Sequence, residues 1–166
     1  GKPLEGGSTI SQQLIRSYFL TRNKTLKRKT REVILTLELE RKYTKEQILE
    51  WYLNIIPFGG NIYGVETASE VFFHKKVSDI SLAESAVLAA LIRSPSYLSP
   101  YGKHLEKLQQ IKNYILKGMK KAGYITESQE KEALEEKIKF FKNVNIIKAP
   151  HFSLMVKRKL EEMYSK

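Results

Sequence analysis

The sequence contains no cysteine. That excludes a disulfide framework and any thiolate metal site. It also lacks an apolar run near the ~20 residues that a bilayer-spanning helix requires; the longest, Ala86 to Ile92, is far too short. No secretory leader pattern is visible. If the protein works at a membrane, the expectation is an anchor outside this sequence. There is no internal repeat, no low-complexity tract, and almost no alternation of apolar and polar residues of the kind a half-buried strand shows. The histidines, His74, His104 and His151, are scattered without metal-ligand spacing and read as surface residues.

What is present is enough for a packed core. The 166 residues are 42% hydrophobic, which suits one globular domain rather than a disordered chain. Lys and Arg number 29 against 18 Asp and Glu, a formal net charge of +11. Such an excess calls for an anionic partner: nucleic acid, anionic lipid or a phosphorylated substrate. Charge alone does not choose among them.

The pattern is helix after helix. Ser8 or Thr9 can cap a helix running to about Leu20. Residues 27–43 form a second helix, very basic at its start. Thr44 and Gln47 make a capping box for a third, ending near Asn54. A loop with Pro57, Gly59, Gly60 and Gly64 follows, then a short helix to Phe73. Ser81 and Glu84 box the next helix, 82–92, apolar nearly all round and therefore expected to be buried and central. Leu105, Leu108, Ile111, Ile115, Met119 and Ala122 form an amphipathic stripe closed by Gly123. Thr126 and Gln129 cap one more helix. Residues 137–149, mixed and basic, read as a linker, and Pro150 opens a last amphipathic piece.

Four segments can carry chemistry. In Gly6-Gly7-Ser8-Thr9-Ile10-Ser11-Gln12-Gln13-Leu14, two glycines feed a hydroxyl cap, which makes either an anion site of free N–H groups or simply a well-capped helix. Gln12 and Gln13 are adjacent and cannot share a face: one can meet a ligand while the other ties down a neighbouring loop. In the basic run Arg22 to Arg31, Arg28 and Glu32 lie four apart and Lys29 and Glu32 three apart. The plain account is a surface ion pair worth roughly 0.2–0.5 kcal/mol. The sharper account is a cluster for a diphosphate, with Glu32 oriented by cations. Trp51 and Tyr52 read as core, and Asn54 can end its helix and do no more. Glu84 is adequately explained as a capping carboxylate.

Taken in order, these segments say more than they do singly. Gly-Gly-Ser-Thr-Ile-Ser-Gln-Gln-Leu is followed by Arg-Lys-x-x-Glu and by Leu-Glu-x-x-Tyr-Thr-Lys-x-x-Ile-Leu-Glu-x-Tyr-Leu-Asn. Then come Tyr-Gly-Val-x-x-Ala-Ser-x-x-Phe-Phe and Leu-Ala-Glu-x-Ala-x-Leu-Ala-Ala-Leu. This succession, over residues 1 to about 136, resembles the family 51 peptidoglycan glycosyltransferases. These are the polymerase domains of class A penicillin-binding proteins and the monofunctional transglycosylases.

The resemblance implies a mainly α, lysozyme-like glycosyltransferase domain, N-terminally incomplete, over residues 1–142. Residues 143–166 would be a linker leading toward a transpeptidase domain, as Ala149-Pro150-His151-Phe152 resembles the exit from such a domain. It implies inverting polymerisation of lipid II into β-1,4-linked glycan with release of undecaprenyl pyrophosphate. The place of action is the outer face of the bacterial cytoplasmic membrane, which the lack of cysteine suits. The family's catalytic base lies in a Glu-Asp-x-x-Phe-x-x-His-Gly motif that belongs upstream of Gly6, so the 166 residues alone are expected to be inactive. Glu32 matches the family's second glutamate, which supports the leaving diphosphate through a water or through Mg²⁺ or Mn²⁺. No organic cofactor is implied. Ser8, Thr9, Gln12, Gln13, Arg16, Lys24, Arg28, Lys29 and Asn54 are the substrate-binding candidates. Arg16 stands where many members have Lys, Ser17 where Asn is common and Ser11 where Thr is common. The implied partners are lipid II, the growing glycan-lipid that moenomycin imitates, the membrane, and divisome or elongasome proteins. A basic nucleic-acid-binding domain would account for the charge but not for the glycine loop or the motif order, and no basic stripe interleaved with aromatics is evident. A non-catalytic relative that binds lipid or partners is the other alternative.

Overall fold

The computed structural model describes residues 8–19 and 26–141. Lys24 and the proposed linker 143–166 lie outside the described residues. The chain forms two compact units, the first ending at Ile55 and the second starting at Ile56.

The first unit holds three helices: α1, Ile10–Phe19; α2, Leu26–Lys42; and α3, Lys45–Ile55. Thr9 caps α1, its hydroxyl accepting from the Gln12 backbone N–H at 3.2 Å. The Thr44/Gln47 box starts α3: Thr44 N–H donates to Gln47 Oε1 at 3.0 Å, and Gln47 N–H to Thr44 Oγ1 at 3.3 Å. Helix α1 packs against both α2 and α3. It buries Ser11, Leu14 and Ile15, the spacing of one helical face. From α3, Ile48 and Tyr52 complete this small core, while Trp51 stands at the surface, edge-on to Tyr43 at 4.7 Å.

The second unit opens with an antiparallel hairpin of two very short strands, β1, Pro57–Gly59, and β2, Ile62–Tyr63. Three and two residues are too few to show a period, so the sequence displays only the turn-forming glycines. Gly59 has φ 101, and a Cβ there would lie 3.4 Å from the Pro95 carbonyl oxygen. Both facts favour glycine. Next come α4, Val65–Phe73; a 3-10 turn, Val77–Asp79; α5, Leu82–Arg93; α6, Leu105–Lys121; and α7, Glu127–Glu135. Helix α5 is buried along Ala83, Ala86, Val87, Leu88, Ala90 and Leu91, and packs on α4, α6, α7 and β1. The central helix expected from its all-round apolar sequence is therefore found within this unit. Its capping box with Ser81 is also present. Glu84 does more than cap, because its carboxylate takes both oxygens to Lys75 Nζ, at 2.9 and 2.8 Å.

Helix α6 ends in a Schellman motif: Gly123 N–H reaches the Lys120 carbonyl and Tyr124 N–H the Met119 carbonyl. Its buried line departs from the apolar stripe in the sequence. Leu108, Lys112 and Leu116 are the fully buried positions, whereas Leu105 and Ala122 are exposed. Lys112 can occupy the core because its Nζ donates to the Ala133 carbonyl at 3.3 Å. That carbonyl is in the last turn of α7 and has no partner within its own helix.

The chain after α7 also differs from a linker. Ile138 packs on the α5–α6–α7 core, and Phe140 lies beside Phe73. Phe141 N–H donates to the Phe72 carbonyl at 3.0 Å, and its own carbonyl accepts from the Tyr101 hydroxyl. His74 stacks on its ring at 4.3 Å. The basic residues hide three apolar anchors, and these fasten 137–141 to the fold.

Candidate functional site

The candidate residues that the structure describes all belong to the first unit. On α1, Gln13 is tied at both ends of its amide. Nε2 donates to the Ser8 carbonyl at 3.4 Å, and Oε1 accepts from the Tyr52 hydroxyl at 3.1 Å. It thus fixes the entry to α1 and joins α1 to α3. Gln12, one residue earlier and turned about 100° away, makes no side-chain hydrogen bond among the described residues and is partly exposed. The division of labour expected of adjacent glutamines is observed: one fixes structure, the other is left to solvent or ligand. Arg16 is exposed in the last turn of α1 and forms no ion pair among the described residues. Ser17 donates to the Gln13 carbonyl at 2.9 Å.

On α2, Glu32 is only 1% exposed, and Lys29 Nζ holds its Oε1 at 2.5 Å while remaining 49% exposed itself. Thr36 Oγ1 donates to the Glu32 carbonyl at 2.7 Å. Arg28 sits one turn before Glu32, half-buried. The plain account of a solvated surface pair does not fit this geometry. Taking a carboxylate out of water costs free energy that well-placed partners must offset. Ser8, Thr9, Gln12 and Gln13 at the start of α1 and Arg28, Lys29 and Glu32 on α2 are therefore carried by two helices in contact. Asn54, exposed near the end of α3, donates from Nδ2 to the Glu50 carbonyl at 2.9 Å.

Tyr52 was legible only as core. Its hydroxyl carries the tie to Gln13 across 39 positions, and nothing local in the sequence signals it. Burial pushes the Tyr52 phenol above its ordinary value. Among the described residues no three or more His, Cys, Asp or Glu gather as a metal site.

The described residues thus form a mainly helical fold that carries a buried, lysine-held glutamate on α2 and a hydroxyl cap at the start of α1. Residues 1–120 match the transglycosylase family. The chain is similar to penicillin-binding protein 1A of Aquifex aeolicus, 43% identical over 157 residues that cover 95% of this chain and 22% of that protein. It is similar to penicillin-binding protein 1F of Bacillus subtilis, 47% identical over 126 residues, 76% of this chain and 18% of that one. The crystal structure of penicillin-binding protein 1A from Haemophilus influenzae matches with a TM-score of 0.56 and 30% identity, over 78% of this chain and 19% of that chain. The chain belongs to the transglycosylase family. It spans about a fifth of the length of the curated relatives it matches. No helix among the described residues is long and apolar enough to cross a membrane.

Proposed function

We propose that this chain supplies the donor side of a peptidoglycan glycosyltransferase. The enzyme polymerises lipid II into β-1,4-linked strands at the outer face of the bacterial cytoplasmic membrane. The observation that carries the proposal is the buried Glu32 carboxylate held by Lys29, one turn from Arg28, on a helix packed against α1.

In the reaction the acceptor's 4-hydroxyl oxygen attacks the anomeric carbon of the growing strand. The bond from that carbon to the diphosphate oxygen breaks, and the α linkage becomes β. Negative charge collects on the departing undecaprenyl pyrophosphate. Arg28, Lys29, Arg16 and Lys24 are the cations suited to neutralise it, Arg by paired N–H donation and Lys as a point charge. Glu32 holds Lys29 in place. The N–H groups and hydroxyls of Ser8 and Thr9 with the Gln12 amide add neutral donors, and Gln13 fixes their positions. No residue in 1–166 matches the family's base, so the 166-residue polypeptide assayed alone makes no glycan.

Glu32 is the carboxylate that would hold Mg²⁺ or Mn²⁺ beside a bound diphosphate, one carboxylate plus phosphates being a usual set for Mg²⁺. Such an ion would supply further neutralisation of the leaving group.

The test is polymerisation of lipid II by the full-length protein that carries this chain. Glycan strands in the parent, and their loss in Lys29→Ala with the fold intact, support the reading. A parent protein that binds lipid II but never extends it would identify a non-catalytic relative.

A further inference from the structure

Helix α6 carries an outward face that the donor site does not use. Lys107, Gln110, Tyr114, Lys117 and Lys121 repeat at intervals of three and four, so they share one side of the helix, and Tyr124 follows its C-cap. All are exposed, Tyr114 by 77% and Tyr124 by 80%. Lys120, one position off this line, pairs with Glu130. Lys117 and Lys121 have no carboxylate partner among the described residues. A Cβ at Gly118 would meet nothing within 4 Å, so the face is open between Tyr114 and Lys121. Along the linear chain these residues are scattered, and winding the helix brings them to one side.

We propose that this face binds an acidic glycan strand, the polymer product itself, by its carboxylates and sugar rings. Three unpaired or weakly held lysines call for anions along a line rather than at a point. Tyrosines so exposed offer flat rings to the C–H faces of sugars. Tyr114 and Lys121 are two helical turns apart, roughly 10 Å, which matches the order of one disaccharide in an extended β-1,4 strand. Two other anionic surfaces fit less well. The face has no aliphatic residue, Phe or Trp to enter a bilayer. It has no arginine, the residue best shaped for phosphate forks in nucleic acid. A strand held here stays with the enzyme between additions, so the face favours longer chains. This inference rests on the glycosyltransferase reading for its choice of polymer.

The experiment uses the full-length protein. Fluorescently labelled, uncrosslinked glycan strands with free stem carboxylates are titrated by anisotropy, with phosphatidylglycerol vesicles and oligothymidine in parallel. Lys117→Glu/Lys121→Glu should raise the Kd for strands about tenfold and flatten its salt dependence, with Tm unchanged. Tyr114→Ala should raise it about threefold. Both variants should form the first glycosidic bond at the parent rate yet make shorter chains. Unchanged strand affinity in both variants overturns the proposal, and so does an equal loss of affinity for vesicles or oligothymidine, the mark of a general anion patch. If the parent makes no glycan but the variants still lose strand affinity, the glycosyltransferase reading fails and the face stands.

Discussion

The Tyr52 hydroxyl donates to the Gln13 side-chain oxygen at 3.1 Å, joining α3 to α1 behind the polar start of the site. Tyr52→Phe keeps the buried ring and removes that one bond. We expect a loss of about 0.5–1.5 kcal/mol and a lower polymerisation rate, because Gln13 no longer holds Ser8 in place. The alkaline limb carries a second signature. Burial raises the Tyr52 phenol above 10.0, so the unfolded chain loses its proton first. This tyrosine's contribution is intact below pH 10.0 and is lost as pH rises toward its folded value. Denaturant titrations should show the parent losing stability above that pH faster than the Phe variant. Parallel curves would mean that the phenol is not buried in solution.

Glu32→Gln tests whether the buried carboxylate acts on the donor. Gln keeps the buried shape, removes the cost of a buried charge and releases Lys29, itself half exposed, to water, so the effects on stability oppose each other. If Glu32 orients cations against the diphosphate, turnover in the full-length enzyme falls on the order of 10²-fold with little change in melting temperature. Should Mg²⁺ or Mn²⁺ share the carboxylate, the parent's rate depends on the ion and the Gln variant's does not. Full turnover in the variant would return Glu32 to a structural role.

Arg28 is the second arm of the cluster. Arg28→Ala should weaken moenomycin binding by roughly 2–5 kcal/mol, the usual cost of truncating one side of a buried charge pair. Added salt should weaken the parent more steeply than the variant. Isothermal titration across a salt series decides this, and identical slopes would remove Arg28 from the site.

The helices were legible because their signals are local. Capping boxes at Thr44, Ser81 and Thr126 and the Gly123 stop each lie within four residues of what they control, and all three boxes form. The site candidates came from motif order, and the structure brings those of α1 and α2 into one unit. What stayed hidden depends on distance along the chain. Glu84 reads as a cap, and only the fold brings Lys75 to both of its oxygens. Residues 137–141, Lys-Ile-Lys-Phe-Phe, read as part of a mixed, basic linker, yet Ile138, Phe140 and Phe141 each find an apolar or ring partner.

Lys112 is the position where sequence pattern and fold part most sharply, and its titration shows which force prevails. It is 2% exposed, with its ammonium on the Ala133 carbonyl. Burial pushes its pKa below the ordinary 10.5, and Glu136 pulls it partly back. The folded value therefore lies below the unfolded one. Between the two the unfolded chain binds more protons, so stability rises with pH through that window. Below it the cost of burying the charge is fully present. Lys112→Met keeps most of the stem and removes the charge, at the expense of a charge-assisted hydrogen bond worth about 1.5–3 kcal/mol. These effects oppose each other at neutral pH, so the melting temperature there should change little. The slope is decisive. As pH approaches 10.5 from below, the parent should gain stability relative to the Met variant, while tyrosine ionisations common to both cancel. If attraction to Glu136 outweighed burial, the sign would reverse, and the parent would lose ground as its lysine discharged. Urea titrations of both proteins over that range distinguish the two.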